Sequence, residues 1–176
     1  MPHPARRPSQ PEPHELSQKE LPVVPSLKRV LMVTDFSATA AAALPYAYAL
    51  VDPGAEVHLV HLIEHEQVPN PLYAHYTSDD LATPQDRDRA IKEVERHLMT
   101  LVPNQAQEKH ITTVVGCVLH PEVAEGIIEE ARKRKPDAIV MGSHGRTGLK
   151  HLLMGSVAEH VLRGCGVPVL IVPHAG

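Results

Sequence analysis

The stretch DAIVMGSHGRTGLKHLLMGSV, residues 137–157, begins as a short apolar run and then passes through four glycines. Four other apolar runs of the same kind occur in the chain: RVLMVTDFS (29–37), AEVHLVHLI (55–63), HITTVVGCV (110–118) and VPVLIV (167–172). Continuous apolar runs of this length are typical of strands buried on both faces. The five runs therefore predict a parallel sheet.

Helical patterns alternate with these runs and cover, to within a residue or two, 37–51, 83–103, 121–135 and 156 onward. Ser37 and the Thr83-Pro84 pair are start signals, and Ser156 with Glu159 predicts a capping box. The alternation predicts an α/β fold, a doubly wound, open five-stranded parallel sheet with helices on both faces. Pro45 breaks a local rule inside the first helix, and Pro168 assigns the last strand to a sheet edge.

The chain of 176 residues is long enough for one domain. Residues 1–26 hold seven of the 17 prolines, which predicts a disordered tail, and the folded domain is expected over 27–174. Residues 64–84 form a long flexible connection without periodicity, either a lid or a disordered segment.

Composition argues against several classes of partner. The net charge is -4 and the chain has no Trp and one Phe, so a nucleic-acid partner is not expected. No apolar window approaches the roughly 18 residues of a membrane span, and the N-terminus lacks the apolar core of a signal peptide. We therefore expect no membrane association and a cytoplasmic location. The two cysteines, Cys117 and Cys165, are typical of reduced thiols.

The glycines after the fourth run suit an anion. Open α/β sheets bind ligands at the carboxyl ends of their strands, and glycine lets backbone N–H groups approach a phosphate. Gly155-Ser156 adds the free N–H groups of a helix start, so the stretch predicts a bipartite phosphate cradle. The alternative is that Gly142 ends the strand and the other glycines serve turns. The chain has neither a P-loop nor a glycine-rich dinucleotide motif after the first run.

Asp35 ends the first run and is a candidate to accept hydrogen bonds from a ribose, or else a turn residue that bonds its own backbone. Among the 13 histidines, His58 and His61 are three residues apart and so face opposite sides of a strand, which argues against a protein-ligated metal. His144 either donates to a phosphate or points to solvent. Adjacent Ser143 and His144 do not easily form a catalytic triad with Asp35.

Gly142-Ser143-His144-Gly145, nine further residues and then Gly155-Ser156 resemble the glycine pattern of the universal stress protein family, in the form its ATP-binding branch shows. The segment VLMVTDFSATAAAAL resembles that family's first strand with its Asp, and HLVHLIE resembles its second. The likeness covers about residues 27–64 and 85–174. It implies an adenine nucleotide alpha hydrolase-like sheet with strand order 3-2-1-4-5, and it implies ATP with Mg2+ or Mn2+ bound through the phosphates.

The resemblance also assigns roles to particular positions. It implies that Asp35 lies near the ribose and that Leu62 meets adenine through its backbone. The other nucleoside contacts it implies are Val33, Met141 and Gly142. The phosphate contacts it implies are Gly145, Arg146, Gly155, Ser156 and Val157. One departure is Leu119-His120-Pro121, where the family often has Gly-x-Pro, and a bulkier rim there is expected to narrow the pocket.

The function that the resemblance implies is a nucleotide-dependent regulatory module, a homodimer that pairs through residues 167–172. ATP occupancy is expected to order residues 64–84. Hydrolysis is expected to be slow or absent, because no general base is evident beside a γ-phosphate. Two alternatives stay open: a slow ATPase or nucleotide-cleaving enzyme, and a dimeric scaffold of the same fold that binds no nucleotide.

Overall fold

The computed structural model describes residues 25–64, 83–145 and 154–173. Most of the predicted tail and connection, together with Arg146, therefore lies outside the described residues. The elements are β1 (Arg29–Val33), α1 (Ala38–Leu50), β2 (Glu56–Glu64), α2 (Pro84–Thr100), α3 (Gln105–Glu108), β3 (Thr112–His120), α4 (Val123–Arg134), β4 (Ala138–Gly142), α5 (Ser156–Gly164) and β5 (Val169–Val172).

All five strands belong to one parallel sheet with the order β3-β2-β1-β4-β5. The predicted doubly wound fold and its strand order are confirmed. β5 lies at an edge, as Pro168 predicted, because a proline has no N–H to donate to a second neighbouring strand. The Pro168 carbonyl still accepts a hydrogen bond from the Ile139 N–H at 2.9 Å.

Alternate strand residues pack into two apolar clusters, one on each face of the sheet. Helices α1 and α2 cover the first cluster, whose members include Val30, Met32, Leu59, Ala43, Val94 and Leu98. Helices α4 and α5 cover the second, whose members include Leu31, Val60, Ile139, Ile127 and Val161. The strands are apolar on both faces because both faces are covered.

The predicted helix starts at Ser37, at Thr83-Pro84 and at Ser156 are confirmed, but the capping box predicted for the last helix is wrong. The Ser37 hydroxyl accepts the Ala40 N–H at 3.1 Å, and the Thr83 hydroxyl caps α2 with a proline directly after it. The predicted capping box of α5 is not formed, because Gly155 is the N-cap and makes no side-chain bond. Glu159 instead pairs with Arg163 at 2.6 Å.

A buried carboxylate ties α4 to the sheet. Glu130 is 5% exposed and accepts hydrogen bonds from Arg134 Nε at 2.7 Å and from Lys133 Nζ at 3.0 Å. Arg134 also reaches His58 Nδ1 on β2, across Gly116, where a Cβ would lie 2.8 Å from the guanidinium. Burial alone raises the pKa of Glu130, but the bonds from Arg134 and Lys133 outweigh it, so the pKa is lowered overall.

We expect Glu130→Gln to lower the free energy of unfolding at pH 7 by about 1–3 kcal/mol, since a neutral amide loses two charge-assisted bonds. The matched control is Glu129→Gln, whose side chain is 48% exposed and which should change stability by less than about 0.5 kcal/mol. Denaturant titration measures both.

The same pair gives a test of pH dependence. The folded pKa of Glu130 lies below its ordinary value of 4.5, so its contribution is present above that value and is lost as the pH falls through the folded pKa. The gap between wild type and Glu130→Gln should therefore close in acid. A gap that stays constant down to pH 3 would contradict the assignment.

Candidate functional site

The strands β1 and β4 separate at their carboxyl ends. Their paired residues end at Met32 and Val140, whereas β1 stays paired with β2 to Val33 and the Thr34 N–H still bonds the Val60 carbonyl at 3.0 Å. The chain winds from β1 toward β3 on one side and from β4 toward β5 on the other, so this opening is the topological switch point of the sheet. A ligand cleft is expected there.

Asp35 lies on one side of this opening, directly after β1. Its Oδ1 accepts the Ser37 N–H at 3.0 Å, which is the local turn that the sequence left as an alternative. Its Oδ2 lies 3.0 Å from the position that a Cβ would take on Gly145. The same carboxylate therefore closes its own turn and faces the glycine segment after β4.

Phe36 supports the Asp35 loop from the face of the sheet that α1 and α2 cover. Its φ of 63° lies in the left-handed region, which costs a non-glycine residue about 1–2 kcal/mol. The ring packs against His61 and His97, with ring centroids 4.6 and 5.0 Å away. His61 Nδ1 donates to the Thr34 carbonyl at 2.7 Å. These contacts stabilise the strained loop, and no spacing in the sequence indicated them.

Two backbone bonds join the halves of the glycine pattern. The Ser143 N–H donates to the Val172 carbonyl at 2.8 Å, and the Ser143 carbonyl accepts the Gly155 N–H at 2.7 Å. Gly155 is the N-cap of α5 and has no side chain to bond the N–H groups of the first turn. The positive end of α5 is therefore held beside the loop after β4, a geometry that suits an anion.

The glycines of the pattern meet different neighbours. A Cβ on Gly142 would lie 2.9 Å from Thr39 Cγ2 and 3.1 Å from the Ala40 nitrogen, so this glycine lets α1 pack closely on the end of β4. Among the described residues, a Cβ on Gly145 would approach only the Asp35 carboxylate within 4 Å. Gly142 thus has a packing role, whereas Gly145 faces the opening.

The apolar candidates Val33, Leu62 and Met141 are 9%, 7% and 5% exposed and belong to the cluster beneath α4 and α5. Val157 packs against the same cluster, directly after Ser156 at the start of α5. The side chains of these four residues lie in the core or pack against it. Any contact of these residues with a ligand would therefore come from their backbone atoms.

Leu119, which the sequence suggested as a bulky rim, packs against the other cluster, beneath α1 and α2. Its side chain therefore lies on the face of the sheet opposite Leu62. His120 lies on the α4 side, where its Cβ would be 2.9 Å from a Cβ on Gly126. The Leu119 side chain therefore does not narrow the expected pocket on the face of the sheet where Val33, Leu62 and Met141 pack.

A hydrogen bond does join Ser143 Oγ and His144 Nδ1 at 2.9 Å, although the adjacency of the two residues argued against a triad. Ser143 is only 2% exposed, so its hydroxyl is not presented to a substrate as a nucleophile. Burial raises the pKa of the Cys117 thiol to about 12, which keeps it protonated at neutral pH.

Residues 25–64, 83–145 and 154–173 contain no group of three or more His, Cys, Asp or Glu side chains placed to hold a metal ion. Their helices are also too short or too polar to span a bilayer.

Known proteins resemble this chain in sequence and in fold. The sequence model of the universal stress protein family matches residues 26–173. The chain belongs to the universal stress protein family. The universal stress protein MJ0577 of Methanocaldococcus jannaschii is 31% identical over 156 residues, which cover 82% of this chain and 94% of that protein. The stress response protein NhaX of Bacillus subtilis is 30% identical over 157 residues, 84% of this chain and 90% of the relative.

Solved structures share the fold of this universal stress protein. The structure of MJ0577 superposes with a TM-score of 0.68 at 28% identity and covers 85% of this chain and 98% of its own. A universal stress protein in complex with cAMP has a TM-score of 0.56 at 18% identity, covering 85% and 98%. A family member from Arabidopsis thaliana with AMP bound has a TM-score of 0.52 at 13% identity, covering 86% and 94%. At identities of 18% and 13%, the last two structures show a shared fold and nothing more.

The different roles of Gly142, the last residue of β4, and of Gly145 can be tested by substitution. We expect Gly142→Ala to lower the free energy of unfolding by about 1–3 kcal/mol, because its Cβ would press on the backbone of α1. Gly145→Ala is the matched control and should change stability by less than about 0.5 kcal/mol, since the carboxylate it meets can move aside. Equal losses in urea titrations of the two variants would show that Gly142 has no special packing role.

Proposed function

We propose that this universal stress protein binds ATP at the opening between β1 and β4 and acts as a nucleotide-dependent regulatory module in the stress response. The observation that carries the proposal is the convergence of three features: the Asp35 carboxylate, the open Gly145 and the uncapped start of α5. A carboxylate suits the hydroxyls of a ribose, and an uncapped helix start suits phosphate. We expect this module to work in the cytoplasm.

In this proposal Asp35 accepts hydrogen bonds from the ribose and Leu62 meets adenine through its backbone. The other residues around the nucleoside are Val33, Met141 and Gly142. The residues around the phosphates are Gly145, Arg146, Gly155, Ser156 and Val157, of which Arg146 lies outside the described residues. Mg2+ or Mn2+ is held by the phosphate oxygens, which are the hard ligands such cations prefer.

Two proteins of this fold carry adenine nucleotides in their solved complexes, cAMP in one and AMP in the other. Their identities to this chain are 18% and 13%, so the proposal of ATP rests instead on the glycine pattern, which resembles that of the ATP-binding branch of the family. A phosphate chain is favoured over a single phosphate because the glycine pattern offers two separate sets of N–H groups, one after β4 and one at the start of α5.

We further propose little or no hydrolysis, since no general base has been assigned beside the γ-phosphate. The alternative is a slow ATPase or a nucleotide-cleaving enzyme. Incubation of the protein with ATP and Mg2+, followed by chromatography of the nucleotides, distinguishes the two. Unchanged ATP over hours supports a binding module, and stoichiometric release of ADP, AMP or pyrophosphate supports the enzyme.

ATP binding can be tested with one substitution at two glycines. Gly145→Val should weaken ATP binding by about a hundredfold or more, because a branched side chain would displace the Asp35 carboxylate and fill the approach to the phosphates. Gly166→Val is the matched control, since a Cβ there meets none of the described residues within 4 Å and the residue precedes β5, at the other end of the sheet. Isothermal titration with Mg2+ and ATP measures both.

Two outcomes of the titration would contradict the proposal. If the wild-type protein takes up no ATP at millimolar concentration, the scaffold alternative is favoured. If Gly145→Val instead binds ATP with wild-type affinity, the nucleotide does not bind at this opening. Thermal unfolding of both variants checks that each retains the fold.

The homodimer is a second proposal and rests on β5. This strand pairs with β4 on one side and, within the described residues, has no strand on its other side, although it carries the apolar Leu170 at 36% exposure. An apolar edge strand is a surface for pairing with another chain. A second copy that presents the same strand gives a closed two-fold dimer.

We expect light scattering at micromolar concentration to give twice the chain mass of 19.3 kDa for the wild type and the chain mass itself for Leu170→Asp. Val114→Asp is the matched control, because Val114 lies on the opposite edge strand β3 with a similar exposure of 37%. It should remain a dimer. A wild type that elutes and scatters as a monomer rules out the proposal.

A further inference from the structure

One ring nitrogen near the opening is buried without a partner. Within the described part of the chain, His144 Nε2 is the buried side-chain nitrogen that makes no hydrogen bond. The other ring nitrogen, Nδ1, is bonded to the Ser143 hydroxyl at 2.9 Å. A buried polar atom without a partner is destabilising, and such atoms in native proteins often mark a binding function.

The Ser143 contact is compatible with two tautomers of the ring, and a phosphate ligand requires the one in which Nε2 carries the proton. Ser143 is 2% exposed, and its backbone N–H and carbonyl are used by Val172 and Gly155. When its hydroxyl donates to Nδ1, the proton of the neutral ring lies on Nε2. The buried atom is then an N–H donor, and the ligand it requires is an acceptor.

The position of the ring identifies the class of acceptor. His144 Cδ2, the carbon bonded to Nε2, lies 4.0 Å from the position of a Cβ on Gly155. Gly155 is the N-cap of α5 and has no side chain to bond the first turn. Nε2 therefore lies close to the positive end of that helix. An N–H donor beside a helix start is complementary to an anionic oxygen, and phosphate is such a ligand.

We propose that His144 reads the phosphate of the bound nucleotide, with Nε2 donating to a phosphate oxygen and Ser143 holding the ring in the tautomer that can do so. This inference rests on the proposed function, because it requires a nucleotide at the opening between β1 and β4. It adds a source of specificity. The residue favours phosphorylated adenine nucleotides over adenosine, and the unpaired donor is satisfied only when a phosphate is present.

Two substitutions at His144 separate the two ring nitrogens. The amide of Asn reaches the position of Nδ1, and the longer amide of Gln reaches the position of Nε2. His144→Asn should therefore keep a partner for Ser143 but weaken ATP binding by about ten- to a hundredfold, the range for one hydrogen bond to a charged group. His144→Gln should retain most of the affinity. Adenosine affinity should stay within about twofold of wild type in both variants, because adenosine lacks the acceptor.

The tautomer gives a readout that does not depend on either variant. The 15N chemical shifts of the His144 ring in the wild-type protein should show a protonated Nε2 and an unprotonated Nδ1, and addition of ATP with Mg2+ should shift Nε2 whereas adenosine should not. This measurement tests the proposal even where a variant fails to fold.

The contrary results are distinct. ATP binding that is equal in wild type and His144→Asn, or a ring resonance that ATP leaves unchanged, overturns the role of His144 and leaves the proposed function standing. An equal loss for ATP and adenosine assigns His144 a structural role and also overturns the inference. A wild-type protein that binds neither ligand overturns the proposed function together with this inference.

Discussion

The separation of β1 from β4 is the constraint on which the rest of the site depends. β1 remains bonded to β2 through Val33, and β4 remains bonded to β5 through Gly142, so neither strand can close the gap at their carboxyl ends. This follows from the winding of the chain in opposite directions on the two sides of that pair. Asp35 and the loop after β4 lie across the opening for the same reason, since each follows directly from the strand that ends there.

The glycine pattern combines two physical roles that its spacing alone does not separate. Gly142 is required by packing, because a Cβ would meet the first turn of α1. Within the described part of the chain, a Cβ on Gly145 would meet only Asp35, and Gly155, the N-cap of α5, donates its N–H to the Ser143 carbonyl. The packing glycine places α1 close to β4, which also places the Asp35 loop beside Gly145. The proposed ligand contacts of the second glycine therefore depend on the packing of the first.

The fold could be predicted from the sequence because strands buried on both faces are continuous apolar runs, and because Ser37 and Thr83 cap their helices through local bonds. The start of α5 at Ser156 was also predicted, but its capping box was predicted wrongly, since the N-cap is Gly155, whose N–H bonds the distant Ser143 carbonyl. For the site, the residues predicted a phosphate cradle, and the nucleotide itself came from resemblance to a family. The support of the Asp35 loop by Phe36 and His61 could not be predicted, because it joins three elements across one face of the sheet.

The two sides of the opening differ in how completely their polar groups are bonded. On the β1 side, the Asp35 turn is closed by Ser37, the start of α1 is capped, and Phe36 is packed between two histidine rings. On the β4 side, α5 begins without a side-chain cap and His144 Nε2 is buried without a partner among residues 25–64, 83–145 and 154–173. A ligand anion that satisfies the second side binds only the folded chain, so it must also stabilise the fold. Under the proposed function, nucleotide binding and stability are therefore linked through the residues around Gly155, and the Asp35 side would supply a fixed surface against which the ligand is oriented.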